Sequence, residues 1–129
     1  MSRIYLARVE QLFPYPRFTD GYYAGYACKI GLVKRDGLDR LKKRMGNLQV
    51  NNPWQISLDA YSEPMSLQDA EFVEEYYKHK FWRENTRGEW FVIMPDRLDK
   101  LKKEIKMAHT LKERRAATRR VLKGVFEHE

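Results

Sequence analysis

Six cations stand between positions 112 and 123: Lys112, Arg114, Arg115, Arg119, Arg120 and Lys123. Side chains of this type, repeated along one stretch, neutralise the phosphates of a nucleic acid and make its binding depend on salt. The segment from Arg97 to Phe126 holds 11 basic and 3 acidic residues, or +8, whereas residues 1–96 hold 14 basic and 13 acidic, or +1. A nearly neutral body therefore carries a basic end, which points to a polyphosphate partner; the alternative is an ordinary solvated helix face. Other reactive side chains are sparse. His79, His109, His128 and the one cysteine, Cys28, lack zinc-type spacing and cannot form an internal disulfide. Glu74 and Lys78 stand four apart, the spacing of a helix ion pair. No apolar run approaches the roughly 20 residues of a membrane span, and the first residues form no secretory h-region. These features predict a chain that works in a reducing cytosol, without a membrane.

The elements that must position these groups can be read from periodicity. Ile4 to Leu12 and Tyr22 to Ile30 read as strands, with Pro14, Pro16 and Thr19-Asp20-Gly21 as the break between them. After the Asp36-Gly37 turn, apolar residues at 38, 41, 45 and 48 predict a helix with a basic outer face, stopped by Asn51-Asn52-Pro53. Trp54, Ile56, Leu58 and Ala60 alternate onto one side of a third strand. Ser66, with Asp69 three residues on, predicts an N-cap for a helix from Leu67 to about Trp82. Gly88 precedes a short strand, Glu89 to Ile93, and Pro95-Asp96 opens a last helical stretch. There Leu98, Leu101, Ile105 and Ala108 form a heptad-like row, which either packs on its own domain or forms a coiled-coil dimer. A restart is expected at Leu111, after His109-Thr110. This order gives an α+β fold of one domain, residues 1–95, with residues 96–129 as a basic helical arm packed on or extending from it.

Four ordered segments carry a resemblance. Arg3-Ile4-Tyr5 lies on the first strand and Lys29-Ile30-Gly31 closes the second. Arg44-Met45 runs on to Leu48-Gln49 and Asn51-Asn52-Pro53. Ala70, Glu74 and Phe81 precede Gly88-Glu89-Trp90-Phe91. Together these resemble the GIY-YIG endonuclease superfamily, in particular its phage branch (coliphage T-five type) with KIG and GEWF motifs, over roughly residues 3–93. The resemblance implies a small central antiparallel or mixed three-stranded sheet flanked by helices. It also implies a metal-dependent DNA endonuclease, phage or mobile-element encoded, acting in a bacterial or phage-infected host cytosol.

Phosphodiester hydrolysis needs an activated water, a cation facing the charge that builds on the phosphoryl oxygens, and help for the leaving oxygen. Carried over position by position, the resemblance makes Tyr5 the base or water-positioning group and Arg44 the phosphate cation. It makes Glu74 the ligand of a single Mg²⁺ or Mn²⁺, and places Lys29 in the catalytic set. A phenol is a poor base at its ordinary pKa of about 10, so Arg44 and Lys29 are expected to depress it. Each assignment has a plainer counterpart. Tyr5 as a core aromatic, Arg44 as a solvated residue with Arg40 as its rival one turn earlier, and Glu74 as the partner of Lys78 are all ordinary; Glu71 and Glu75 replace Glu74 if the register slips. Three positions depart from the pattern. Lys29 stands where the second tyrosine would be, leaving Tyr23 or Tyr26 as accessory phenols. Lys78 stands where the branch has a histidine, with His79 beside it. The first triplet lacks glycine. The alternative function is therefore a DNA-binding module on the same fold with its catalysis lost. A third reading is a protein-interaction factor, and monomer and homodimer are both open.

Overall fold

The computed structural model describes residues 1–17, 21–35, 37–87 and 89–127. β1 (Arg3–Arg17) and β2 (Gly21–Val33) form a long antiparallel hairpin, with Tyr5 opposite Gly31 and Ala7 opposite Lys29. Both strands outrun their expected ends. The prolines do not break β1, because β3 (Ile56–Tyr61) accompanies it only as far as Val9. Past that point β1 has an open edge, where a missing N–H removes no ladder bond.

Among the described residues the sheet has five strands, in the order β3-β1-β2-β5-β4, every pair antiparallel, rather than the expected three. β5 (Trp90–Ile93) pairs with Tyr26–Lys29 of β2, and β4 (Asn85–Arg87) lies outside it. Asn85-Thr86-Arg87 has no apolar alternation, so nothing in its composition marks it as a strand. β3 starts at Ile56, not Trp54, and its side chains do not share one face. The register with β1 shifts where Leu6 faces Ala60 and Ala7 faces Leu58, leaving Asp59 as an extra residue. This bulge turns Ala60 to the opposite face from Ile56 and Leu58.

Each face of the sheet buries its own core. On one side Tyr5, Ala7, Val9, Val33 and Ile56 pack against Leu41, Met45 and Leu48 of α1 (Leu38–Gln49). Gln49 fixes the chain after that helix: its Nε2 donates to the Trp54 carbonyl (2.9 Å) and its Oε1 accepts from the Ile56 N–H (2.8 Å). The Leu-Gln and Asn-Pro pattern is thus the hinge that returns the chain from α1 to the sheet. On the other side lie Ile4, Leu6, Cys28, Ile30, Phe91 and Ile93, covered by three helices. α2 (Leu67–Lys80) begins at Ser66, whose Oγ accepts from the Asp69 N–H at 3.1 Å, the expected cap. It buries Ala70, Val73 and Tyr77. α3 (Pro95–Lys106) buries Leu98, Leu101 and Ile105 in the same core, joined by Ala108 from a 3₁₀ turn and by Leu111 at the start of α4 (Leu111–Glu127). The heptad-like row therefore packs on its own domain, and the restart falls at Leu111. No described helix is long and apolar enough to cross a membrane.

Candidate functional site

Tyr5 sits on β1 directly opposite Gly31, pointing into the α1 core, and is 1 % exposed. Its ring lies across the Gly31 backbone so closely that a Cβ there would overlap both the hydroxyl and the ring carbons. This glycine, inside the second strand, is what lets the phenol of the first strand lie flat. The hydroxyl has no hydrogen-bond partner among the described residues.

Three charged groups from three other segments act on that phenol: Arg44 of α1, Glu89 just before β5, and Glu74 of α2. Burial is the largest influence and, with Glu89 and Glu74, pushes Tyr5 up from 10.0 to about 12, while Arg44 pulls it down. The expected depression of the phenol is thus not found, because desolvation of the anion outweighs one guanidinium. The other cation meant to help is engaged elsewhere. Lys29 Nζ lies 2.9 Å from Glu89 Oε2, and its hydrogen bond and charge hold the Glu89 carboxyl below the usual range, aided by Lys78 and Arg44. Lys29 shares the Tyr5 face of β2, so the residue standing in for the second tyrosine anchors an acid beside the first.

Tyr5 and Arg44 lie on one face of the sheet and α2, with Glu74, covers the other, so Glu74 acts on the phenol only through its charge. β5 begins beside Lys29, and among the described residues no strand flanks Ile30–Val33 on that side. At this notch opens a cavity of about 420 Å³ whose lining includes Glu74, Lys78, Glu89, Ile30, Phe91 and Trp82. Glu89 joins both sides, bonded to Lys29 on one and lining the cavity on the other. Of the three α2 glutamates weighed, Glu74 lines the cavity, while Glu71 and Glu75 are exposed. Glu74 also meets Lys78, at 3.6 Å. Glu89 was not foreseen as a site residue. Its one signal was position, an acid at the start of a strand whose pairing with Lys29 no periodicity reveals.

The remaining candidates disperse. Tyr26 faces the opposite core from Tyr5, under the Arg8 guanidinium (4.5 Å to the ring centre), and does not join the site. The Tyr23 side chain lies outside the described residues. His79 is exposed, 3.4 Å from Glu75, and points away from the cavity. Arg40 lies beside Arg44 in a neighbouring cleft. Along α4, Lys112 meets Asp69 (3.3 Å) and Arg115 lies over the Tyr76 ring (4.9 Å). Arg114 donates to Thr110 Oγ1 (2.8 Å) and Arg120 to the Ala116 carbonyl (3.4 Å). Arg119 is exposed, and the Lys123 side chain lies outside the described residues.

No group of three or more His, Cys, Asp or Glu side chains able to hold a metal ion occurs among the described residues. The donor set at the notch is smaller: Glu74, with one oxygen loosely paired, beside a cavity roomy enough for water. That fits Mg²⁺, which keeps several waters and takes one or two carboxylates, and does not fit an ion that needs a full protein cage. Comparison with protein-family models, with curated proteins and with solved structures found no match to this chain.

Proposed function

We propose that the chain is a metal-dependent endonuclease that hydrolyses phosphodiester bonds of DNA, on a fold of the GIY-YIG kind, with Tyr5, Arg44, Lys29, Glu89 and Glu74 as its site. What supports this reading is that Lys29, on the Tyr5 face of β2, holds Glu89 at 2.9 Å, that Glu89 and Glu74 line one cavity, and that Arg44, Glu89 and Glu74 act through their charges on the Tyr5 phenol. A cation, a hydroxyl and carboxylates are the groups that phosphoryl transfer to water requires.

Arg44 would bind the phosphoryl oxygens of the scissile group and stabilise the charge growing on them. Burial pushes the Tyr5 phenol up to about 12, so in this reading it is a hydrogen-bonding group that orients the attacking water or a phosphoryl oxygen. Lys29 and Glu89 hold one another beside it and fix the charge it faces. Glu74 would hold the Mg²⁺ or Mn²⁺, which when bound supplies Lewis acidity and a water of lowered pKa. The water oxygen bonds to phosphorus and gives up a proton, the opposite P–O bond breaks, and the leaving oxygen takes up a proton, so that a phosphate monoester and an alcohol are released.

The test is supercoiled plasmid incubated with purified protein and Mg²⁺ or Mn²⁺. Nicking by the wild type, lost in both Tyr5→Phe and Glu74→Ala, supports the reading. DNA that is retarded in a gel yet stays intact would sink it, and leave the binding module.

A further inference from the structure

A second group of cations gathers away from α4. A cleft of about 360 Å³ between the end of β2 and α1 is lined by Lys34, Arg35, Arg40, Lys43, Arg44 and Asn47 over a floor of Leu32 and Val33. Positions 40, 43, 44 and 47 follow the i, i+3, i+4, i+7 spacing, so α1 turns one polar stripe to the cleft while Leu41, Met45 and Leu48 hold the core. Lys34 and Arg35, following the last residue of β2, form the facing wall.

Five cations thus share one cleft that, among the described residues, no carboxylate lines, and none of their side chains has a hydrogen bond or ion pair with a described residue. Elsewhere the chain does neutralise its bases: Arg8, Lys29, Lys80, Arg97, Lys102 and Lys112 each lie within 4.0 Å of a carboxylate. Like charges three and four apart on a helix repel, so this grouping opposes folding until an anion fills it. Arg44 belongs both to this cleft and to the charges acting on Tyr5, and the floor continues along β2 from Gly31.

We infer that this cleft is the principal phosphate track of the protein. It binds consecutive backbone phosphates of a nucleic acid strand through Lys34, Arg35, Arg40 and Lys43 and passes the next phosphate to Arg44. The inference rests on the nuclease reading for its direction, towards Tyr5, but not for the binding itself. It displaces the α4 cations, several of which already meet protein groups, from the leading role.

The test is fluorescence anisotropy of a labelled DNA duplex of about 20 base pairs, titrated in EDTA at several salt concentrations. The Lys34→Ala/Arg35→Ala/Arg40→Ala/Lys43→Ala variant, which keeps Arg44, should lose about tenfold or more in affinity near 0.1 M salt, and its salt slope should fall by about 3. An Arg115→Ala/Arg119→Ala/Arg120→Ala variant should lose less on both counts. Thermal unfolding of the cleft variant should occur at or above the wild-type temperature, since the removed groups repel one another and touch no partner. A cleft variant that binds like the wild type, or an α4 variant that loses more, overturns the inference. So does tripolyphosphate bound as tightly as the duplex, which would mark a site for free polyphosphate. Because EDTA prevents turnover, a cleft-dependent slope in a protein that never nicks plasmid would keep this inference and reject the nuclease. Nicking with a cleft-independent slope would do the reverse.

Discussion

The phenol of Tyr5 lies across Gly31, its direct antiparallel partner, so that the side chain of one strand occupies the space a side chain of the other would need. Gly31→Ala is expected to cost about 1–3 kcal/mol of stability, as overpacked cores do, and to displace the Tyr5 ring. Shortening Tyr5 removes the clash, so Tyr5→Ala/Gly31→Ala should lose less than the sum of the single changes in urea unfolding. Additive losses would show that the two residues do not meet.

Breaking the bulge contact should be the more damaging change. Asp59, whose side chain is 5 % exposed, accepts from Arg8 Nε at 2.6 Å and lies 4.0 Å from Lys102. Asp59→Ala leaves Arg8 (18 % exposed) without its carboxylate and is expected to cost about 3–5 kcal/mol. Lys102→Ala removes only the outer partner and should cost less than about 1 kcal/mol. Chemical denaturation of the two variants decides this.

High pH should unfold the protein through groups that resist ionisation. Burial pushes Tyr5 up to about 12 and Cys28 from 9.0 to about 12, and raises Tyr77 as well. These groups hold their protons more tightly folded than unfolded, so their contribution is complete below their ordinary values and fades as pH climbs from about 9 to 12. Tyrosinate absorbance and far-UV circular dichroism, followed together, should show the last tyrosines ionising with loss of helix. Full ionisation near pH 10 in a folded protein would contradict it.

Arg44 is exposed and has no described ion pair, so Arg44→Ala should leave stability within about 0.5 kcal/mol of the wild type. Plasmid nicking should nevertheless slow about 10²–10³-fold, the usual effect of removing one transition-state donor. Arg44→Lys should recover only part of the rate, since an ammonium cannot form the two-point guanidinium contact. Unchanged nicking by Arg44→Ala would remove it from the site.

Much of the fold could be read from local chemistry. The Ser66 cap, the Leu41, Met45 and Leu48 stripe and the restart at Leu111 depend on residues within a turn or two of one another, where spacing is decisive. The parts that escaped depend on pairing between distant segments. Asp59 bulges because of the register β3 adopts on β1, and Ala60 changes face with it. Pro14 and Pro16 remain in a strand because β3 stops short beside them. Likewise Tyr5, Arg44 and Glu74 were named from ordered motifs. Glu89 was missed because its role comes from Lys29 across the sheet, and the rise of the Tyr5 pKa comes from burial that no sequence spacing measures.

The most direct test of the account is whether Tyr5, Arg44 and Glu74 act as a unit on one phosphate. Single-turnover plasmid cleavage with Mg²⁺ should be compared for the wild type, for Tyr5→Phe, Arg44→Ala and Glu74→Ala, and for the triple variant. The account predicts a triple variant no slower than the slowest single variant, as when residues serve one transition state. Losses that multiply independently, or a wild type that does not cut at all, would contradict it.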